Sequence, residues 1–285
     1  MEFIYAIILG IIEGFTEFLP ISSTGHLVLA GEYIKLSPKE FQNAFNVIIQ
    51  LGAILAVVWV YFKNLNPLDK DKLVNKHGEA ARNFTFKERL RNYDVKTINL
   101  WVRIIIGFLP AAVLGFLFDD LIDKYLFNKV TVAIALVFYG IVILLIEGKD
   151  RDSSYESIYQ IPVKTLILIG LFQCLAMVPG TSRSAATIIG AILLGCSRVV
   201  AAEFSFYLAI PTMLGATVLK ILKLGNVLSL NQWLIILVGA VVSFVVALIV
   251  IKKFLEYVKR HDFKVFGIYR IVLGILVLIM YFIKG

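Results

Sequence analysis

Six apolar stretches, at about 41–62, 98–118, 130–146, 201–222, 232–252 and 265–284, constrain this chain more than any other feature. Each has roughly the 17–25 residues that carry a helix across about 30 Å of hydrocarbon. With 59% hydrophobic and 17% charged residues, the chain departs from soluble domains, which run nearer half apolar and about a quarter charged. It therefore reads as an all-α polytopic membrane protein. A soluble enzyme, a disordered segment and a nucleic-acid-binding domain are excluded. The net charge of +8 has a topological meaning here, because Lys and Arg collect on the cytoplasmic side of membrane proteins. Cys174 and Cys196 form no CxxC or zinc pattern and read as packing residues. The first apolar stretch lacks a basic leader and a small-residue cleavage site, so it is expected to be retained.

Two further regions, 2–35 and 164–198, are apolar at both ends but interrupted by Pro, Gly, Ser and Thr. The interruptions read FLPISSTGH (18–26) and VPGTSRSAA (178–186). Neither half of either region is long enough to span. Broken backbone at membrane depth is tolerated only where it is buried in protein or lines a wet cavity. Each region is therefore expected to be a re-entrant helix–loop–helix. With 63–97 placed in the cytoplasm, 18 of the 28 Lys and Arg fall inside and 7 outside. Arg103, Arg183 and Arg270 lie within apolar segments. This asymmetry predicts both termini, and the mouth of the first break, on the outer side. The outer loops would include 119–129 with Asp119, Asp120 and Asp123, and 63–97 is expected to be a solvated loop.

The interrupted regions echo one another at a spacing near 160: Gly10 with Gly170, Glu13 with Gln173, Pro20 nearly with Pro179, and Ser22 with Ser182. A second echo, at 167, sets Trp101–Gly107 against Ile268–Gly274, with Arg103 over Arg270. These echoes predict a single membrane domain of two repeats, 1–146 and 164–285. Each would hold one broken pair and three spans, an odd number that forces inverted topology. Such halves are usual in transporters, with the site where the breaks meet, so repetition alone does not separate transport from catalysis.

The chemistry is concentrated at the breaks. Glu13 and Glu17, spaced i,i+4, share a helical face. Two carboxylates in a bilayer are costly unless they share a proton or a cation. Their hard oxygens suit Mg²⁺ or Ca²⁺. Ser22, Ser23 and Thr24 supply hydroxyls, and His26 follows within reach of them. A hydroxyl beside an imidazole is a minimal activated nucleophile, although Ser-Ser-Thr before an apolar run is equally an N-cap. At the second break, Arg183 begins a helix among Ser182, Ser184 and Thr187. A helix N-terminus reinforced by a guanidinium is an anion cradle. Together these are the parts for phosphoryl hydrolysis: metal and Arg neutralise, a hydroxyl or water attacks, and His transfers the proton.

At EGFTEFLPISSTGH (13–26) and PGTSRSAAT (179–187) the sequence resembles the undecaprenyl-diphosphate phosphatase family, also called bacitracin-resistance proteins. FNVIIQLGAILAVV (45–58) and AEFSFYLAIPTMLGA (202–216) resemble it too, so the likeness covers essentially the whole chain. The resemblance implies a multi-pass enzyme of the bacterial inner membrane. Its substrate would be a C55 polyprenyl diphosphate, cut to the monophosphate carrier of cell-wall synthesis, with a homodimer as a possible assembly. By that resemblance Glu13 and Glu17 fall on the acidic, metal-associated motif. Ser22, Ser23 and His26 fall on the positions of the candidate nucleophile and acid/base, and Ser182, Arg183, Ser184 and Thr187 on the phosphate loop. The alternative is a polyprenyl-phosphate transporter or flippase.

Overall fold

In the computed structural model, residues 1–126, 128–149, 152–224 and 227–284 are described, without the side chains of 119–124, 224 and 284. The chain is helical throughout, and named strands are absent from the described residues. The first broken region is α1 (Glu2–Thr16) and α2 (Ser23–Ala30). The first span follows as α3 (Lys39–Ile48) and α4 (Gln50–Val60). Three short helices, α5 (Phe62–Leu65), α6 (Lys70–His77) and α7 (Phe86–Arg91), occupy the polar insert. Then come α8 (Val95–Leu126), α9 (Lys129–Glu147), α10 (Val163–Cys174), α11 (Arg183–Leu193), α12 (Arg198–Leu224), α13 (Leu230–Val258) and α14 (Lys264–Lys284).

Six helical stretches are long and apolar enough to cross a membrane: Lys39–Val60, Val95–Phe118, Lys129–Glu147, Arg198–Lys223, Leu230–Val258 and Lys264–Ile283. All six were expected, within a few residues. Large apolar side chains such as Phe116, Phe138, Leu145, Leu222 and Ile249 are exposed on them, as lipid-facing surface requires. Outside the polar insert, α1–α2 and α10–α11 are the described helices that fall short of spanning length.

The helices pair by an exchange rule. α1 packs along α13 while α10 packs along α8. α4 meets α13 while α12 meets α8. α9 meets α14, and α4 meets α12. Swapping α1 with α10, α3–α4 with α12, α8 with α13 and α9 with α14 leaves this pattern intact. The closest approaches obey it as well. A Cβ at Gly10 would strike the carbonyl oxygen of Gly239 on α13, and one at Gly170 would strike that of Gly107 on α8. Both sites need glycine because two backbones touch there.

Three expectations change. The insert 63–97 is a folded helical segment and not a plain solvated loop: Lys72 Nζ reaches the carbonyl of Asn64 at 2.9 Å and Thr97 Oγ1 at 2.6 Å, and Trp101 Nε1 donates to the Leu65 carbonyl. The expected loop 119–129 is largely helix, since α8 runs to Leu126; the side chains of Asp119, Asp120 and Asp123 lie outside the described residues. The echo of Arg103 in Arg270 also joins unlike places. Arg103 on α8 donates to the carbonyls of Ile158 and Ile161, whereas Arg270 on α14 lies among the breaks. Local resemblance of short apolar segments around an arginine misled there.

Candidate active site

Each break turns on a serine in an unusual conformation. Ser22 has φ 74° and Ser182 φ 72°, the only non-glycine residues with positive φ among the described residues. Such backbone costs on the order of 1–3 kcal/mol and gathers at functional sites. Each serine also caps the helix that follows: Ser22 Oγ accepts from Gly25 N and Ser182 Oγ from Ala185 N, both at 3.2 Å. The bland capping role and the strained turn thus coexist at the same two residues.

Three side chains bind the breaks to one another. Ser184 Oγ donates to the Leu19 carbonyl at 2.9 Å. Arg270, wholly buried, donates to the carbonyls of Pro20 (3.1 Å), Gly180 (2.9 Å) and Thr181 (3.0 Å). Arg183 Nη2 meets Glu17 Oε1 at 3.2 Å, with 9% and 4% of the two side chains exposed. The other nitrogen, Nη1, donates to the Ser205 carbonyl at 2.7 Å. Phe18 lies beneath the guanidinium, 5.9 Å from carbon to ring centre. On the far oxygen of the same carboxylate, Ser23 Oγ donates to Glu17 Oε2 at 2.5 Å. A hydroxyl, a carboxylate and a guanidinium therefore form one continuous chain.

That chain forms the floor of a cavity of about 520 Å³ lined by residues of α2, α3–α4, α8, α10, α11 and α12. Of the residues singled out in the sequence, Glu17, Ser23, Thr24, Ser182 and Arg183 line it. Ser22, Ser184 and Thr187 are buried behind them. Thr187 Oγ1 lies 2.9 Å from the Arg183 carbonyl and 2.6 Å from Ser205 Oγ, so it braces the arginine instead of facing the cavity. His26 is also displaced from its expected place. Its Nδ1 is 2.7 Å from the Ser22 carbonyl and its Nε2 2.7 Å from Tyr269 Oη, with the rings stacked. The carbonyl can only accept, which puts a proton on Nδ1 and leaves neutral Nε2 to accept from the tyrosine. The imidazole thus holds the strained turn from behind, and the base touching Ser23 is Glu17.

Glu13 is completely buried, and both its oxygens, like Gln173 Oε1, lack a hydrogen-bond partner. Orphaned buried carboxylate oxygens need an explanation. An all-oxygen donor set of this kind fits a hard divalent cation. Two carboxylates would be its only charged ligands, since no cluster of three or more His, Cys, Asp or Glu able to hold a metal occurs among the described residues.

The model of the family described as Bacitracin resistance protein BacA matches residues 6–276. The chain belongs to the BacA family. An undecaprenyl-diphosphatase 1 of Clostridioides difficile strain 630 is 50% identical over 284 residues, covering 99% of this chain and 97% of its own. An undecaprenyl-diphosphatase of Limosilactobacillus fermentum is also 50% identical, covering 98% and 97%. One of Acetivibrio thermocellus is 46% identical, covering 99% and 98%. These BacA relatives match nearly end to end, so both breaks fall inside the family region.

Sequence reasoning missed Ser205, Thr212, Tyr269 and the task of Arg270. Nothing in their local pattern marks them, because each acts through a partner more than thirty positions away or, for Ser205, across a helix boundary. Arg270→Met would leave buried carbonyls of both breaks without a donor, at about 1–3 kcal/mol each. We expect the thermal midpoint of the detergent-solubilised variant to fall by several degrees and phosphate release to fall further than stability alone explains. A variant with wild-type midpoint and activity would refute the clasp.

Proposed function

We propose that this BacA-family membrane protein hydrolyses the terminal phosphate of undecaprenyl diphosphate, yielding undecaprenyl phosphate and inorganic phosphate. The observation that carries the reading is the Ser23–Glu17–Arg183 chain, 2.5 Å and 3.2 Å long, on the floor of the cavity. The names of the relatives agree with it. The cavity is walled by Phe108, Ala111, Phe116, Met177 and Met213 beside a polar floor, which suits a lipid carrying a phosphorylated head.

The distal phosphate would sit against Arg183, whose buried Nε has no partner and whose planar fork suits phosphate oxygens. Ser23 Oγ attacks the distal phosphorus as its proton passes to Glu17 Oε2. The oxygen bridging the two phosphorus atoms leaves with the bonding electrons as the lipid monophosphate. Water then cleaves the phosphoserine and inorganic phosphate departs. In the variant route, water held by Glu17 attacks directly. His26 would act as acid/base only after its ring left Tyr269; in its observed place it is a positioning residue for the Ser22–Ser23 turn. A divalent cation, if bound by Glu13 and Glu17, would neutralise phosphate charge.

The reading extends to architecture and placement. The exchange of helix contacts and the matched serines support two inverted repeats, each with a re-entrant pair. The 18-to-7 partition of Lys and Arg supports an inner-membrane orientation with both termini and the cavity mouth outside.

Arg183→Ala and Glu17→Gln should each lower kcat/KM for phosphate release by roughly 10³-fold or more, the scale of arginine contributions to phosphoryl transfer. Near-wild-type release by either purified variant would end the reading, and because the assay is in detergent it requires no transport. Ser23→Ala separates the routes: a comparable loss supports the serine nucleophile, and retained activity supports water. Chelation of divalent cations should abolish release, with recovery on adding back Mg²⁺ or Ca²⁺; full activity in chelator would exclude the cation. For orientation, a cysteine at position 24, with Cys174 and Cys196 replaced by alanine, should react with an impermeant thiol reagent from the outer face. Reaction from the cytoplasmic face alone would invert the topology.

A further inference from the structure

The cavity has a second basic end. From its floor, α12 carries Thr212, Met213, Ala216, Leu219, Lys220 and Lys223 up one wall. Spacings of three and four keep them on one helical face. Met213 Sδ lies 4.0 Å from Arg183 Nη2. Lys220 is seven residues further along the same helix, about 10 Å along its axis. Lys220 is half-buried and lines the cavity. It makes no hydrogen bond or ion pair among the described residues.

Among the described residues, the surroundings of Lys220 give it nothing to bind. Leu219, Ala216 and Phe116 are apolar, and the one carboxylate that the described residues contribute to the lining, Glu17, is held at the floor by Ser23 and Arg183. A lysine needed only to complement the C-terminal dipole of α12 could extend into water. Lys220 instead overhangs a concave, low-dielectric space whose opposite end is an arginine cradle. Like charges at two ends of one cleft focus its field on anions and raise their local concentration.

We propose that Lys220 is an anion-capture residue at the mouth of the cavity, passing phosphoryl groups between the membrane surface and Arg183. The inference rests on the phosphohydrolase reading and deepens it. The ligand chemistry is a phosphoryl anion, either the incoming lipid diphosphate head or the departing inorganic phosphate. Lys220 touches no reacting atom; its task is capture and transfer, and bond-making stays with Ser23, Glu17 and Arg183.

The test compares wild-type protein with Lys220→Gln and Lys220→Arg, measuring phosphate release from a polyprenyl diphosphate in detergent at low and high salt. Thermal midpoints are recorded alongside. For an incoming head group, Lys220→Gln should raise KM about five- to tenfold with kcat within about twofold, and flatten the rise of KM with salt. Lys220→Arg should restore both. For departing phosphate, KM should hold while product inhibition by added inorganic phosphate weakens by a similar factor. Either pattern, at an unchanged thermal midpoint, supports the capture role and says which anion is served. A glutamine variant with wild-type KM, salt response and phosphate inhibition overturns it, as does a loss confined to kcat. Wild-type protein that releases no phosphate would instead bring down the phosphohydrolase reading itself.

Discussion

The guanidinium of Arg270 is the contact on which the site depends. A chain interrupted within a membrane must find donors for the carbonyls that the interruption frees. The breaks at 18–22 and 178–182 leave Pro20, Gly180 and Thr181 pointing inward, and one buried arginine answers all three. Because those carbonyls belong to different halves of the sequence, satisfying them also fixes the distance between the halves. The fold and the placement of the reacting groups therefore share a single solution.

Electrostatics makes the same demand from the other side. Glu17 and Arg183 are both almost fully buried, and either charge alone would be strongly destabilising in such a place. Each is tolerable because the other break supplies its partner. Ser205 and Thr187 then hold the arginine and its helix. Ser23 adds its hydroxyl to the free side of the carboxylate. A phosphate entering the cavity would meet a guanidinium with spare donor capacity at Nε and a carboxylate already hydrogen-bonded to a hydroxyl.

Much of this was legible beforehand. Spanning length follows from apolar runs, so the six long helices could be read directly. Charged residues inside such runs are expensive, which marked Glu13, Glu17 and Arg183. Direction was harder to read. A sequence says that His26 lies within a turn of Ser22 and Ser23, but a helix just beginning can present its fourth residue to either side. A tyrosine 243 positions away decided the matter. Thr187 illustrates the same limit: its motif placed it near the phosphate loop, and its rotation about α11 put it behind the arginine. Arg270 was visible as a buried charge, yet its neighbourhood matched Arg103 by apolar repetition alone, and pairwise spacing could not show that one clasps the breaks while the other ties down 158–161.

The two breaks share more than their positions. Both have a positive-φ serine that caps its own helix, and the helices that begin them each lie glycine-first against a partner from the opposite half. Their charges, however, have parted. Glu13 stands where the other half has Gln173, and the first break holds the carboxylates while the second holds the arginine. A fully symmetric pair would place acid against acid or base against base across the meeting point, which neither could neutralise in a low-dielectric interior. A difference of charge on two similar backbone turns is therefore what gives the polar site an acidic and a basic wall. The orphaned oxygens of Glu13 are where that neutralisation is incomplete.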